Sequence, residues 1–92
     1  MHLEGVIQLI NPTQSIGSRG FQKRELVLKT TEKGRDQEIL IEFQQAYVDL
    51  LDAYKVEDKV RVGIDIKGRK WEQTGQADRY FNTILGWKIE PI

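Results

Sequence analysis

From Val60 to Lys67 the chain alternates without a break, Val60, Val62, Ile64 and Ile66 interleaving with Arg61, Gly63, Asp65 and Lys67. A period of two places the aliphatic set on one face and the polar set on the other, the pattern of a half-buried strand. Leu3 to Ile10 alternates less cleanly. Leu3, Gly5, Ile7 and Leu9 share one face and Val6 and Ile10 the other, as expected for a strand partly buried on both sides. Phe21 to Thr31 sets Leu26 and Leu28 opposite Val27, and Gln37 to Phe43 puts Ile39, Ile41 and Phe43 on an apolar face with Glu38, Leu40 and Glu42 behind it. A last strand, Tyr80 to Ile89, carries Phe81, Leu85, Trp87 and Ile89 on one side and Tyr80, Asn82, Ile84 and Lys88 on the other, which predicts Trp87 in the core. Between the third and fourth strands the period changes. Tyr47, Leu50, Leu51 and Tyr54 fall at i, i+3, i+4 and i+7, the stripe of a short amphipathic helix.

The breaks between these segments are polar or rich in turn formers: Asn11-Pro12, the Ser15 to Gly20 loop, Glu32 to Asp36, and a long polar arm from Gly68 to Arg79 broken at Gly75. Three strands, a helix and two strands, with no repeat or linker, predict one domain over residues 1–92, all-β with one short helix. That order is the five-stranded Greek-key barrel of the oligonucleotide-binding (OB) fold, with the helix between strands 3 and 4. Closing the sheet also hides strand edges that would otherwise template aggregation. A small SH3-like barrel is the main competitor, and it accounts less well for the helix's position.

Composition narrows the chemistry. The 92 residues contain no cysteine and one histidine, His2, so neither a disulfide framework nor a thiolate or histidine-based zinc site can be assembled within the chain. A nucleophile–base–acid set is equally out of reach. Asp49 and Asp52 on the helix read as solvated charges, and Gly17-Ser18-Arg19-Gly20 lacks the lysine and following helix of a phosphate-binding loop. The chain is expected to be no enzyme and to need no cofactor. Without an apolar run long enough to span a bilayer or a basic stretch ahead of one, it is expected to be soluble and cytoplasmic, with no membrane partner. Formal charge sums to zero, but the distribution is uneven. Asp36 to Asp58 is strongly acidic, whereas Lys59, Arg61, Lys67, Arg69 and Lys70 form one basic region and Arg19, Lys23 and Arg24 a second, the two places where a polyanion would land.

The stretch from Gly68 to Tyr80, Gly-Arg-Lys-Trp-Glu-Gln-Thr-Gly-Gln-Ala-Asp-Arg-Tyr, followed by the strand from Phe81, resembles the arm between the last two strands of bacterial single-stranded DNA-binding proteins. Tyr47 to Val62 resembles that family's helix, charged turn and next strand, and Ser18-Arg-Gly-Phe21 its first hairpin. A nearer likeness is to an uncharacterised bacterial family of small OB-fold proteins, itself similar to single-stranded DNA binders, which shares the chain length and the Trp-Lys-Ile-Glu ending at Trp87 to Glu90. The resemblance implies binding of single-stranded DNA, or RNA, in DNA replication or repair. Trp71 stands among polar residues beside Arg69 and Lys70, where an indole can offer a face to any base. Phe21 and Tyr80 are further candidate stacking rings, and Arg69, Lys70, Arg79, Arg61 and Lys23 candidate phosphate contacts. For each ring the alternative is packing, against the barrel or in a subunit contact.

The likeness breaks on the third strand. Where the single-stranded DNA-binding family carries stacking aromatics, this chain has Glu38 and Gln44, and Glu38 and Glu42 place negative charge on the expected binding face. Two readings therefore stand: a single-stranded nucleic-acid binder, or an OB-fold protein-interaction or assembly subunit without nucleic-acid affinity. A homodimer or higher homo-oligomer is expected under either.

Overall fold

A computed structural model describes residues 1–92, apart from the side chain of Glu32. The strands are β1 (His2–Ile10), β2 (Gln14–Ile16), β3 (Phe21–Glu32), β4 (Arg35–Gln44), β5 (Lys59–Trp71) and β6 (Arg79–Pro91), with a 3-10 helix over Gln45–Ala53. Antiparallel pairing joins β1 to β3 and to β5, β3 to β4, and β5 to β6. A short parallel contact, Glu42 with Leu85 and Phe43 with Gly86, closes β4 onto β6 and completes the ring. This is the OB barrel. The additional strand β2 lies in the stretch read as turn and loop, pairs only with the start of β3, and moves the helix to a place between the fourth and fifth strands. Its three residues are all exposed, so no apolar alternation marks it. Among the described residues no helix is long and apolar enough to cross a membrane.

Ile7, Leu26, Leu28, Ile41, Phe43, Leu51, Val60, Val62 and Ile64 fill the barrel. Each such side chain contributes about 1.5–3 kcal/mol relative to exposure. Gly86 is there because the Phe43 ring lies against its Cα; any Cβ would enter the ring. The β3–β4 hairpin turns on Lys33 and Gly34, both at positive φ (51° and 75°), the geometry of the two-residue turns whose twist matches antiparallel strands.

Two predicted stripes shift. The helix is 3-10, in which residues three apart lie in line. Val48 and Leu51 are therefore buried, with Tyr54 just past the helix donating its hydroxyl to the Ile89 carbonyl at 3.2 Å, while Tyr47 and Leu50 face outward. On β6 the pairing slips between Gly63–Lys88 and Ile64–Gly86, leaving Trp87 as the extra residue of a bulge. The bulge reverses the alternation, so that Ile84, Gly86 and Ile89 all face the core. Trp87 is not a core residue. Its indole lies on Gly63, three ring atoms 2.9–3.1 Å from where a Cβ would be, and it stays 37% exposed. Ile66, placed by alternation on the core face, is 54% exposed because β5 has there left the barrel.

Candidate functional site

Beyond Asp65 and Leu85, β5 and β6 pair only with each other and run on as a two-stranded arm. Residues opposite one another share a face and faces alternate along a strand. One face of the arm therefore carries Asp65 with Leu85, Lys67 with Thr83, Arg69 with Phe81, and Trp71 with Arg79. The other carries Ile66 with Ile84, Gly68 with Asn82, and Lys70 with Tyr80.

This alternation divides the candidate residues. Trp71, Arg69 and Arg79 come together, joined by Phe81, which belongs to the row that alternation assigned to the core. Phe81 is 43% and Trp71 45% exposed, and their rings lie 6.1 Å apart at 47°. Lys70 and Tyr80 are on the opposite side. Lys70 bridges Glu72 (3.2 Å) and Asp78 (3.3 Å), bracing the two ends of the arm's tip, and Tyr80 is 73% exposed, more than any Phe, Trp or other Tyr among the described residues.

The Trp71–Phe81 face continues onto the barrel as a groove. Glu42, Gln44, Lys67, Arg69, Phe81, Thr83 and Leu85 line its outer part. The inner part, a cavity of about 320 Å³, is walled by Gln44, Gln45, Tyr47, Asp65, Lys67, Leu85 and Trp87. Gln44, Lys67 and Leu85 belong to both, so the track runs from Trp87 and Tyr47 to Arg69 and Phe81, with Trp71 on the same face beside Phe81. The six steps of strand from Asp65 to Trp71 span about 20 Å. Lys67, Arg69 and Arg79 make no ion pair among the described residues, so their charge is available to an anion along the track.

Lys23 and Phe21 stand at the groove's flank. Lys23 is opposite Gln44 in the β3–β4 ladder and pairs with Glu42 at 3.5 Å, and the half-buried Phe21 lies on the same side of β3. Glu42 also accepts a hydrogen bond from the Gln44 amide, so its charge is largely matched. Glu38 takes no part in the groove. It accepts from Gln8 at 2.9 Å and lines a separate depression with Lys29 and Asp36. Arg61 sits past Trp87 and is held by Glu4 (3.2 Å) and Glu90 (3.7 Å). Arg24 of the second basic cluster is structural. Its guanidinium turns into the end of the barrel and donates to the Asn11 carbonyl (2.8 Å), the Val48 carbonyl (3.3 Å) and Asp52 (2.6 Å).

The candidate groove also holds Phe81, Tyr47 and Trp87, which the sequence assigns to packing, and Lys67, which it places in the basic region without singling it out. Clean alternation was the available signal for Lys67, which shares a polar face with Arg69. Elsewhere on the barrel, Leu9, Val27 and Leu40 lie side by side across β1, β3 and β4, with Leu9 and Leu40 about half exposed.

Residues 2–90 match one family, described as "Domain of unknown function (DUF3127)". No curated protein sequence matches the chain. Among solved structures, a mitochondrial single-stranded DNA-binding protein of S. cerevisiae, Rim1, superposes with a TM-score of 0.76 at 13% identity, covering 100% of this chain and 92% of that one. A Plasmodium falciparum SSB solved in complex with ssDNA gives 0.70 at 17% identity, covering 100% and 92%. A deletion mutant of the single-stranded DNA-binding protein from Thermus aquaticus gives 0.66 at 16% identity, covering 99% of this chain and 48% of that chain. At these identities the likeness is one of fold.

Proposed function

The chain belongs to the family described as "Domain of unknown function (DUF3127)", and we propose that it binds single-stranded nucleic acid, ssDNA first, along the groove and arm. The observation that carries this reading is the coincidence on one face of two adjoining exposed rings, Trp71 and Phe81, with three cations that make no ion pair among the described residues, Lys67, Arg69 and Arg79. Bases present a π-face whatever their identity, and phosphates follow the cations, so such a surface holds a strand without reading its sequence. The likeness in fold to proteins named for binding single-stranded DNA supports the same reading. Function then rests on binding alone, with no catalytic step and no cofactor.

Titration with oligo-dT, followed by tryptophan fluorescence at low salt, tests it. Quenching that saturates, and that weakens in Trp71→Ala, is expected; absence of quenching and of any shift in oligonucleotide anisotropy would refute it.

The assembly reading keeps one supporting observation, the Leu9–Val27–Leu40 row, exposed at Leu9 and Leu40, which suits a second copy of the chain. Light scattering that gives a dimer mass, reduced to the monomer by Leu40→Lys, is its expected result.

A further inference from the structure

The inner end of the groove differs chemically from the rest. Along the cationic face Asp65 is the one acid of β5 and β6 between Trp87 and Trp71, and it engages no cation or hydrogen-bond donor among the described residues. A carboxylate there works against phosphate, which makes it a poor element of a purely electrostatic track. It makes sense as a reader of base edges. Trp87 lies flat on Gly63, the residue two before Asp65 on the same face, and Tyr47 stands exposed across the same cavity. A base stacked on the outer face of the Trp87 indole would turn its edge towards Asp65 and Lys67, which are successive residues of one row, about 7 Å apart along the strand.

We infer that this cavity is a guanine-selective subsite at the inner end of the track, an inference that rests on the nucleic-acid reading above. The carboxylate offers two acceptors and the ammonium only donors. Guanine alone presents two adjacent donors, N1–H and the 2-amino group, followed by the O6 acceptor. Asp65 takes the first two and Lys67 the third. Thymine and uracil present a single donor between two acceptors and satisfy the pair in part. Adenine and cytosine each offer one donor beside an acceptor that faces the carboxylate unpaired. The expected order is therefore guanine, then thymine, then adenine and cytosine. Stacking an unpaired base and reading its Watson–Crick edge is the general way in which single strands are recognised specifically.

The experiment uses the whole chain and fluorescently labelled hexamers: oligo-dT, the same hexamer with one dG moved through each position, and matching hexamers with deoxyinosine, which lacks the 2-amino group. Anisotropy is read at low salt. We expect one position, near one end, at which dG tightens binding by about tenfold over dT, the discrimination of a two-point base contact. Deoxyinosine should recover only part of that gain, and Asp65→Asn should abolish the dG-to-dT ratio. If oligo-dT binds but dG gives no advantage anywhere, or if the advantage survives Asp65→Asn, the subsite is overturned and the general groove stands. If oligo-dT itself does not bind, the groove falls and the subsite with it.

Discussion

Trp71 and Phe81 are diagonal neighbours across the β5–β6 ladder, Phe81 standing opposite Arg69 while its ring tilts 47° to the Trp71 indole at 6.1 Å. Two rings so placed form one platform. Trp71→Ala and Phe81→Ala should each weaken oligo-dT binding by about 1–3 kcal/mol, the worth of one base stack, and the double variant by less than the sum, because each ring holds the other in place. Tyr80→Ala, on the opposite face of the arm, should leave affinity unchanged. Parallel anisotropy titrations of the four variants decide the point.

Salt should weaken binding in proportion to the phosphates engaged. With Lys67, Arg69 and Arg79 as contacts, the log–log slope is expected near −2, at about 0.7 per contact for a single strand. Lys67→Gln or Arg69→Gln should each flatten it by about 0.7. Lys70→Gln should not, since that ammonium is committed to Glu72 and Asp78. A salt series on each variant makes the comparison.

Gly86→Ala should be costly. The added methyl enters the Phe43 ring, in a core closed on every side, and overpacking of this kind costs about 1–3 kcal/mol or more. Gly63→Ala meets the Trp87 indole instead, at 2.9 Å, and that ring has solvent to move into. A smaller loss of stability with a changed tryptophan emission spectrum is expected, measured by urea unfolding.

Arg24→Ala should destabilise the fold by about 1–3 kcal/mol, since two carbonyls lose a charged donor at a part-buried site. Asp52→Asn removes only the exposed end of that contact and should cost less than about 1 kcal/mol. Denaturant midpoints separate the two.

The Asp36 carboxyl is held below its ordinary range by the Thr31 hydroxyl, which donates to it at 2.7 Å, and by the Lys29 ammonium at 3.4 Å. A lowered folded-state value means that its stabilising effect is in force above the unfolded value of about 3.9 and is lost as pH falls through the folded value. The stability difference between the wild type and Asp36→Asn should therefore be largest near neutrality and vanish in acid, as unfolding curves at a series of pH values would record.

The barrel was legible wherever a strand kept one face buried for its whole length. Val60 to Ile64 and Ile39 to Phe43 fall where alternation puts them. Alternation failed where its assumption failed. At Trp87 one extra residue reverses the faces, so Phe81 and the half-buried Leu85 lie on the groove side and Ile84 on the core side, and no residue type in Leu-Gly-Trp-Lys announces that slip. The helix stripe shifts for a related reason: the 3-10 row in line with Tyr54 is Val48, Leu51 and Tyr54, whereas the α-helical pattern of i, i+3, i+4 and i+7 adds Tyr47 and Leu50 and passes over Val48. Of the candidate site, Trp71, Arg69 and Arg79 were visible as composition, because an indole among polar residues has little else to do. Which of them share a side was not visible, since that depends on the register that separates Trp71 from Lys70 and Tyr80.

Beyond Asp65 and Leu85 the arm pairs with no other strand, and Ile84 is its last residue packed on the core. The arm's length is thus a quantity that descent can vary without consulting the core. Lengthening each strand by two residues would add another rung to the track and keep every ring on its side; lengthening each by one would invert the outer part, exchanging the Trp71 surface for the Lys70 surface. Relatives of this chain should accordingly differ in reach by steps of two, and a lineage that took a single step would have turned its platform to the back.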